Sequence, residues 1–350
     1  MKIRSITIKN LRLFEDETFN FNPHINVFIG ENGSGKSTIL RSFVHLLNSL
    51  YPKYNGELLN SSDILQGKEN FSISADFQAS NNEIEQANLS NSEIQFLNVL
   101  ERTDNKNSLM IYNKTKSDSL SFFKNLHKDN FIGGTVLYFD SFRYLPNIAV
   151  DGPNSYPLPK NSRENSMASS ISRISETSDQ LHVSNKFLNL KQWLINLDFI
   201  RLKQPNSENQ KTFEHIIEAF NTLFNPFIFS HISEKGEILF NCNNIRVNID
   251  QLSDGFKNLF IIIGEIFYRL YNSSDGKADF YNYEAVVLID EIDCHIHPKW
   301  QINIIPYFKQ MFPNCQFIIT THSPFILNKL DDSEITELEG VLHHASIDRV

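Results

Sequence analysis

The sequence predicts an α/β fold whose sheet is at least partly parallel. Near the N-terminus, an apolar strand at residues 25–29 runs into a glycine-rich loop, and a helix-patterned segment follows the loop. In the last third, residues 286–289 and 316–320 form two short, largely apolar runs. Runs of this form are typical of strands that are buried on both faces, as the strands of parallel sheets are.

The composition is that of an ordinary globular protein. Of the 350 residues, 41% are hydrophobic and 21% are charged, and the formal net charge is −9. This charge argues against a surface coated with positive charge for non-specific nucleic-acid binding, although it allows a local basic groove. The longest apolar run, residues 259–267, is broken by Gly264 and Glu265 and is shorter than the roughly 18 residues of a membrane span. We therefore expect no membrane segment.

The N-terminus and the cysteines bear on location and redox chemistry. Residues 1–8 alternate like a strand and lack the apolar core of a signal peptide, so we expect a cytoplasmic protein. The three cysteines, Cys242, Cys294 and Cys315, have neither close pairing nor ligand-like spacing. The sequence therefore predicts neither a disulfide framework nor a zinc site.

In the first half of the chain, the pattern predicts two N-terminal strands, at residues 3–8 and 25–29, joined by a turn. The helix after Ser37 has apolar residues at helical spacing and stops near Pro52. Short alternating pieces at 73–77 and 109–112 predict antiparallel strands around a polar connection. A further strand at 136–139 leads into a turn at 140–143.

In the second half, residues 151–185 lack a sustained period and predict a mobile loop or linker, followed by helices at 186–202 and 211–223. A hairpin is expected at 238–247, a helix at 256–270, and an acidic surface helix or frayed end after Asp331. We expect a single domain, 1–350, that comprises an N-terminal lobe (1–145), a flexible and helical insertion (146–230) and a C-terminal lobe (231–350).

The glycine-rich loop matches the pattern G-x-x-x-x-G-K-[ST] in full and indicates nucleotide binding. Such a loop wraps phosphates with its backbone N–H groups, its lysine reaches the β and γ phosphates, and its serine ligates Mg²⁺. The alternative, an ordinary glycine-rich turn, is disfavoured because the match lies between a strand and a helix. The residues expected to bind ATP here are Gly30, Asn32, Gly33, Ser34, Gly35, Lys36, Ser37 and Thr38, with Ser37 also on Mg²⁺.

Two acidic residues close the apolar run at 286–289. Asp290 is the candidate Mg²⁺ ligand, direct or through the second shell, and Glu291 is the candidate general base for the attacking water. The alternative is a strand that ends in solvated acidic residues. A full phosphate loop elsewhere in the chain makes that alternative the weaker one.

Three further features remain open to two interpretations. Ser253 and Gly255 lie where a loop becomes a helix, so they could bind a γ-phosphate, form a plain helix cap, or do both. His322 follows a buried strand and could contact the γ-phosphate or the attacking water, although a lone histidine is more often structural. His295 and His297 have metal-like spacing, but a turn shaped by the following proline is favoured over zinc.

Four segments together resemble a known family: residues 30–37, 252–255, 288–293 and 320–324. They are similar to the soluble ABC-type ATPases of the RecF, SMC and OLD kind. More narrowly, residues 252–258 and 289–301 resemble the stand-alone ATPases of the PtuA type from the Septu anti-phage system and the retron-associated ATPases. The family implies a P-loop α/β head with a mixed parallel and antiparallel sheet and a helical insertion.

The resemblance also implies a mechanism. In a head-to-tail dimer, Lys36, Ser37, Asp290 and Glu291 of one protomer would hold MgATP, and Ser253 and Gly255 of the other would close over it. Asp293 would lie in the D-loop at the interface, and His322 would be the switch histidine. Higher oligomers are compatible with this arrangement.

The sequence departs from the family pattern at the signature and at the Q-loop. Asp254 stands where glycine is usual, and Phe256 replaces the common glutamine, which leaves the rate of hydrolysis open. Gln78 and the turn at residues 140–143 are rival candidates for the Q-loop.

The leading hypothesis is an ATP-driven dimeric switch that controls a separate effector in anti-phage defence. The chain ends 28 residues after His322, which leaves no room for the C-terminal nuclease of OLD proteins, so we expect a separate effector such as an HNH-type nuclease. The alternative is a RecF-like ATPase that clamps DNA in repair or maintenance, so nucleic acid is a possible partner. A transporter subunit fits less well, and a nucleotide-binding scaffold without turnover stays open.

Overall fold

The computed structural model describes residues 1–48, 59, 61–88, 93–102, 109–113, 134–141 and 183–339. The strands in these ranges are β1 (Lys2–Leu11), β2 (Phe14–Asn20), β3 (Ile25–Gly30), β4 (Asn70–Gln78), β5 (Glu93–Arg102), β6 (Leu109–Asn113), β7 (Thr135–Phe139), β8 (Ile228–Ile232), β9 (Ile238–Cys242), β10 (Ile245–Asn248), β11 (Ala285–Ile289), β12 (Gln316–Thr320) and β13 (Ile335–Leu338). The helices are α1 (Lys36–Asn48), α2 (Asn81–Ala87), α3 (Val183–Lys203), α4 (Glu208–Phe224), α5 (Asp254–Ser273), α6 (Pro298–Met311) and α7 (Pro324–Leu327).

A five-stranded parallel sheet lies at the centre, with strand order β13-β3-β12-β11-β7. Every residue of β7, β11 and β12 is buried, which confirms the prediction of strands covered on both faces. Because the strands are parallel, their carboxyl ends meet at one edge of the sheet. The glycine-rich loop after β3, the acidic pair after β11 and the threonine pair at the end of β12 therefore share that edge.

Successive residues of the parallel strands point into two separate hydrophobic cores. Leu288 and Ile318 belong to the core that is shared with α1 and the antiparallel sheet, order β2-β1-β4-β5-β6. Ile289 and Ile319 belong to the larger core, which is formed with the helices that follow residue 183. Each fully buried aliphatic side chain of this kind contributes about 1.5–3 kcal/mol to stability.

Helix α5 forms the centre of the larger core and packs closely against α3. At Gly264 a Cβ atom would come within 2.6 Å of Leu190 Cδ2, so the absence of a side chain at this position allows the close packing of Leu190. Trp193 of α3 packs with Tyr268 and Tyr271 of α5 at ring-centroid distances of 5.3 and 5.4 Å. The contacts hold the two helices together along several turns.

Several sequence-based predictions are confirmed. The predicted helices at 186–202 and 211–223 are α3 and α4, the helix at 256–270 is α5, and the hairpin at 238–247 is formed by β9 and β10. The predicted loop at 151–185 and the turn residues 142–143 lie outside the described residues, except that 183–185 begin α3. The division into two lobes and an insertion stays a prediction.

The prediction for the acidic tail was wrong. Residues 335–338 form a strand, β13, that pairs in parallel with β3, rather than a surface helix or a frayed end. Its short alternation, with Leu338 buried and Glu337 exposed, is too brief to be distinguished from a polar tail by pattern alone. Strands β2, β5 and β8 and helices α2, α6 and α7 were also missed.

Candidate functional site

The glycine-rich loop joins β3 to the N-terminus of α1, as predicted. Gly35 has φ +98°, and a Cβ atom there would lie 2.5 Å from Phe14 Cζ. Gly30 approaches the end of β13, because a Cβ atom at Gly30 would lie 2.5 Å from the Leu338 carbonyl oxygen. The loop is therefore fixed from both sides, by the β1–β2 hairpin and by β13.

Lys36 is folded back into the loop. Its Nζ donates hydrogen bonds of 2.8 Å to the carbonyl oxygens of Gly30 and Glu31. Burial lowers the pKa of the Lys36 ammonium, and the negative charges of Glu291, Asp290 and Asp293 oppose that shift. A buried cation with two neutral carbonyl partners is well suited to pair with an anionic group.

Two other loop residues bear on the fit of a phosphate group. The Ser34 hydroxyl is buried and has no hydrogen-bond partner among the described residues. The Thr38 hydroxyl is buried and accepts a hydrogen bond of 3.3 Å from Arg12 Nη1. Arg12 is held in turn by Asp63, whose Oδ1 accepts from Arg12 Nε at 2.8 Å. Asn32, by contrast, lies exposed at the tip of the loop.

Asp290 joins the loop to the middle of the sheet. Its Oδ1 accepts hydrogen bonds from the Ser37 hydroxyl at 3.0 Å and from the Thr320 hydroxyl at 2.6 Å. The side chain is buried, with Asp290 only 1% exposed. A buried carboxylate requires partners of this kind, because its desolvation is costly. The residue pair predicted for Mg²⁺, Ser37 and Asp290, is thus in direct contact.

Glu291 begins the turn that follows β11. Its backbone has φ +47°, an uncommon conformation for a residue with a side chain. The Glu291 amide donates a hydrogen bond of 2.7 Å to the Thr320 hydroxyl, so Thr320 contacts both acidic residues. The half-buried Glu291 side chain contributes more than Asp290 to the field that acts on Lys36. Its predicted role as general base stays a prediction.

Asp293 and His322 are connected through the end of β12. Asp293 Oδ1 accepts a 2.6 Å hydrogen bond from the Thr321 hydroxyl and a 3.3 Å bond from the His322 amide. The His322 imidazole is exposed, whereas Thr321 is fully buried. The turn after β11 is therefore fastened to the segment that carries the predicted switch histidine.

The signature residues 252–255 form the start of α5. Ser253 is exposed, and its hydroxyl caps the helix by accepting a 3.3 Å hydrogen bond from the Phe256 amide. Gly255 is buried, and a Cβ atom there would overlap the His295 carbonyl oxygen. Asn258 Nδ2 donates a 3.1 Å hydrogen bond to the Cys294 carbonyl. The N-terminus of α5 is thus packed on residues 294–296 of its own chain.

The two departures from the family pattern have different surroundings. Phe256 is buried and stacks on Phe224 with ring centroids 4.0 Å apart. Asp254 is exposed in the first turn of α5, where a negative charge interacts favourably with the helix dipole. Only Asp254 is therefore available to a group approaching from outside.

The histidine pair 295 and 297 is part of a turn, as favoured by the sequence. His297 caps α6 through Nδ1, which accepts a 3.2 Å hydrogen bond from the Lys299 amide. Within the ranges that the structure describes, no group of three or more His, Cys, Asp or Glu side chains is arranged to hold a metal ion. This is compatible with Mg²⁺ in a nucleotide site, because Mg²⁺ there takes one or two protein ligands and phosphate oxygens.

The two Q-loop candidates differ in position. Gln78 ends β4, is exposed and accepts a 3.3 Å hydrogen bond from Arg4 Nε. Asp140 is buried directly after β7, the strand that pairs with β11. Asp140 is therefore the candidate that lies at the same edge of the sheet as Asp290.

Sequence reasoning missed two residues of this site. Thr320 contacts Asp290 and the Glu291 amide, and Thr321 contacts Asp293, yet neither was a candidate. The available signal was two adjacent hydroxyl side chains at the end of a buried strand, where polar side chains require partners.

The described residues suit MgATP. The loop offers a cation, a partnerless buried hydroxyl and glycine conformations that bring backbone close to a ligand, and Asp290 adds a carboxylate next to Ser37. Lys36 and the loop would hold the phosphates, and Ser37 and Asp290 would hold Mg²⁺, which would neutralise charge on the phosphates. None of the helices in the described part of the chain has the length and apolarity needed to cross a membrane.

The chain is similar to several known ATPases. A family model described as "AAA domain, putative AbiEii toxin, Type IV TA system" matches residues 25–328. The chain is 28% identical to the Septu protein PtuA of Bacillus thuringiensis over 96% of this chain and 75% of that protein. It is 25% identical to the "Retron Vc95 probable ATPase" of Vibrio cholerae serotype O1 biovar El Tor over 96% of this chain and 73% of that protein.

A solved structure, the SMC head bound to the C-winged helix domain of ScpA, shares the fold. The TM-score is 0.55 at 15% identity, and the alignment covers 96% of this chain and 94% of that chain. The similarity confirms the predicted P-loop α/β head. The chain therefore belongs to the AAA-domain family that its family model describes, and it is an ABC-type ATPase of the SMC and RecF kind.

Proposed function

We propose that the protein is a cytoplasmic ATP-dependent switch that dimerises head to tail around MgATP and controls a separate effector, a nuclease. The position of Ser253 carries the proposal. This residue is exposed at the N-terminus of α5. The first turn of the helix is held in place, because Gly255 and Asn258 pack on residues 294–296. An exposed helix N-terminus with a serine cap is a favourable site for an anionic group that a second copy presents.

The hydrolytic step can be assigned to residues around Asp290. Lys36 would hold the β and γ phosphates, and the Glu291 carboxylate would accept a proton from the attacking water. The water oxygen forms a bond to the γ phosphorus while the bond from that phosphorus to the bridging oxygen breaks, which gives ADP and phosphate. Thr320 supports this assignment, because it contacts both Asp290 and the Glu291 backbone.

The role in defence has support from the relatives, which include a Septu protein and a retron ATPase. Control of an effector is the natural use of a nucleotide-dependent dimer, since ATP binding and hydrolysis would change which surfaces are covered. A RecF-like DNA clamp is the competing function, and the net charge of −9 counts against it.

Native thiols offer a test of the nucleotide-dependent interface. Cys294 and Cys242 are both half-buried, and Cys315 is buried. In the Glu291→Gln variant we expect MgATP to slow alkylation of Cys294, beside the D-loop residue Asp293, and to leave Cys242 unaffected. The same protection must be absent in a variant that also carries Lys36→Met, because that variant lacks the phosphate-binding cation. Equal labelling of Cys294 with and without MgATP would contradict the proposed interface.

The effector is tested separately. Tagged protein is isolated from its own host, and the copurifying chains are assayed for cleavage of DNA and RNA with ATP, with ADP and without nucleotide. We expect nuclease activity that resides in a second chain and changes with the nucleotide. ATP-dependent DNA binding by the pure protein, steeply weakened by salt and without a nuclease partner, would favour the RecF-like function instead.

A further inference from the structure

We infer that Lys191 of α3 is a positioning residue for the signature, acting through Asp250. This inference rests on the proposed function, because it concerns how Ser253 is presented to the nucleotide of a second copy. Lys191 Nζ donates hydrogen bonds of 2.9 and 3.1 Å to the two carboxylate oxygens of Asp250. The Lys191 side chain is only 3% exposed, whereas that of Asp250 is 29% exposed.

Asp250 belongs to the turn that leads directly into the signature. The turn is fixed by its own caps: Asn248 Oδ1 accepts from the Asp250 amide at 3.1 Å, and the Leu252 amide donates to the Ile249 carbonyl at 3.1 Å. Ile249 is fully buried in the larger core. The position of Asp250 therefore affects the positions of Leu252 and Ser253 through a short, hydrogen-bonded segment.

Helix α3 contacts the signature helix at more than this point. Leu190 of α3 lies against Gly264 of α5, and Trp193 of α3 packs with Tyr268 and Tyr271 of α5. Lys191 lies between Leu190 and Trp193 in sequence and reaches instead the turn that precedes α5. Helix α3 thus holds both the body of α5 and the segment from which its N-terminal cap is built.

A buried lysine is costly unless a carboxylate compensates its charge, so this pair is unlike a surface ion pair. The chemistry of the nucleotide site does not require the pair, because other residues make the hydrogen bonds that hold Lys36 and Asp290. What the pair fixes is the relation between α3 and residues 249–253. Displacement of α3 by an effector would therefore alter the presentation of Ser253 without altering nucleotide binding.

The test compares variants at Lys191 in the Glu291→Gln background. Lys191→Met removes the charge and leaves Asp250, which water can reach, without its partner. Two quantities are measured: the affinity of the isolated chain for a fluorescent MgATP analogue, and the protein concentration at which MgATP produces half-maximal dimer. We expect unchanged nucleotide affinity and a dimer midpoint raised by about tenfold, which corresponds to about 1.4 kcal/mol of lost positioning.

Two controls make the result specific. Lys191→Arg keeps a cation and must restore the dimer midpoint of the parent. Arg201→Met removes an ion pair with Asp198 elsewhere on α3 and must leave the dimer midpoint unchanged. If Lys191→Met fails to fold, the double variant Lys191→Met with Asp250→Leu removes both charges, so that no buried charge lacks a partner, and the same midpoint is measured.

Ser253→Ala separates failure of this inference from failure of the proposed function. If Ser253→Ala impairs dimerisation and the Lys191 variants do not, the positioning role is wrong and the switch stands. If MgATP produces the same extent of dimer in Ser253→Ala as in its parent, the proposed dimer itself is wrong. The inference would also be overturned if Lys191→Met lowered the nucleotide affinity by the same factor by which it raised the dimer midpoint.

Discussion

The Ser37 hydroxyl donates a 3.0 Å hydrogen bond to Asp290 Oδ1, although the two residues are 253 positions apart in the chain. The contact exists because β12 alone separates β3 from β11 in the parallel sheet, so that the carboxyl ends of β3 and β11 lie one strand apart at the same edge. Thr320, at the end of β12, donates to the same oxygen at 2.6 Å. One carboxylate oxygen thus connects three segments that the sequence presents separately.

The charge of Asp290 should determine the response to Mg²⁺. In Asp290→Asn the amide oxygen can still accept from Ser37 and Thr320, but the negative charge is lost. We expect Mg²⁺ affinity in the presence of ATP to fall by about 10–100-fold, with ATP affinity in EDTA unchanged. Titration of Mg²⁺ with a fluorescent ATP analogue measures both quantities. Asp16→Asn, at an exposed pair with Lys9, is the control, and retained Mg²⁺ dependence in Asp290→Asn would contradict the assignment.

Thr320 should matter for both stability and turnover. Thr320→Val keeps the shape of the side chain but removes the acceptor of the half-buried Glu291 amide and one of the two hydroxyl donors to Asp290 Oδ1, and Ser37 remains as the other donor. We expect a loss of about 1–3 kcal/mol in the free energy of unfolding, and a lower turnover because both acidic residues lose their orientation. Denaturant titration and steady-state ATP hydrolysis measure the two effects. Thr18→Val, at an exposed hydroxyl pair with Thr7, should change neither, and full turnover in Thr320→Val would show that Thr320 does not orient the site.

Replacing Phe256 and Asp254 by the residues usual in the family, glutamine and glycine, should have opposite effects: the first should harm the protein and the second should favour dimerisation. Because Phe256 stacks on Phe224 inside the core, Phe256→Gln should lower the free energy of unfolding by about 3–5 kcal/mol. Asp254 is exposed at the helix N-terminus, so Asp254→Gly should remove a charge that repels phosphate and raise ATP-dependent dimerisation about two- to fivefold. A stable, faster Phe256→Gln variant would contradict this distinction.

His45 of α1 predicts a specific loss of stability in acid. Burial lowers the pKa of His45 from 6.5 to about 4, and the nearby charge of Asp63 only partly opposes this shift. Between these two values the unfolded chain binds the proton and the folded chain does not. The contribution of neutral, buried His45 to the free energy of unfolding is therefore fully present above pH 6.5. It is lost as the pH falls toward 4, by about 3 kcal/mol in total.

The comparison of parent and His45→Gln isolates that contribution from the carboxylates that titrate in the same range. Denaturant unfolding is measured at several pH values between 7 and 4. The difference in the free energy of unfolding between the two proteins should shift in favour of His45→Gln as the pH falls. A difference that is independent of pH would mean that His45 is not kept neutral by its burial.

The parts of the fold that were predictable are those with strong local patterns. The apolar runs at 286–289 and 316–320 and the glycine-rich loop specify strands and a turn within a few residues, and the structure confirms them. The strand β13 was not predictable, because four residues next to an acidic stretch become a strand only by pairing with β3. Tertiary contact, rather than local preference, determines such a short element.

The candidate site shows the same division. Lys36, Ser37 and Asp290 carry a motif, and the residues lie together as expected. Thr320 has no motif of its own, and its importance comes from a position beside β11 that only the sheet order defines. Phe256 was taken as a change to the nucleotide site, whereas its side chain belongs to the core.

The proposed switch is tested most directly by the mass of the Glu291→Gln variant in sedimentation, with and without MgATP. The glutamine keeps the size of the side chain and removes the proposed base, so ATP should persist in the site. We predict a monomer without nucleotide, a dimer with MgATP, and a monomer under both conditions when Ser253→Ala is added. A variant that stays monomeric with MgATP and hydrolyses ATP at the parent rate would contradict the account.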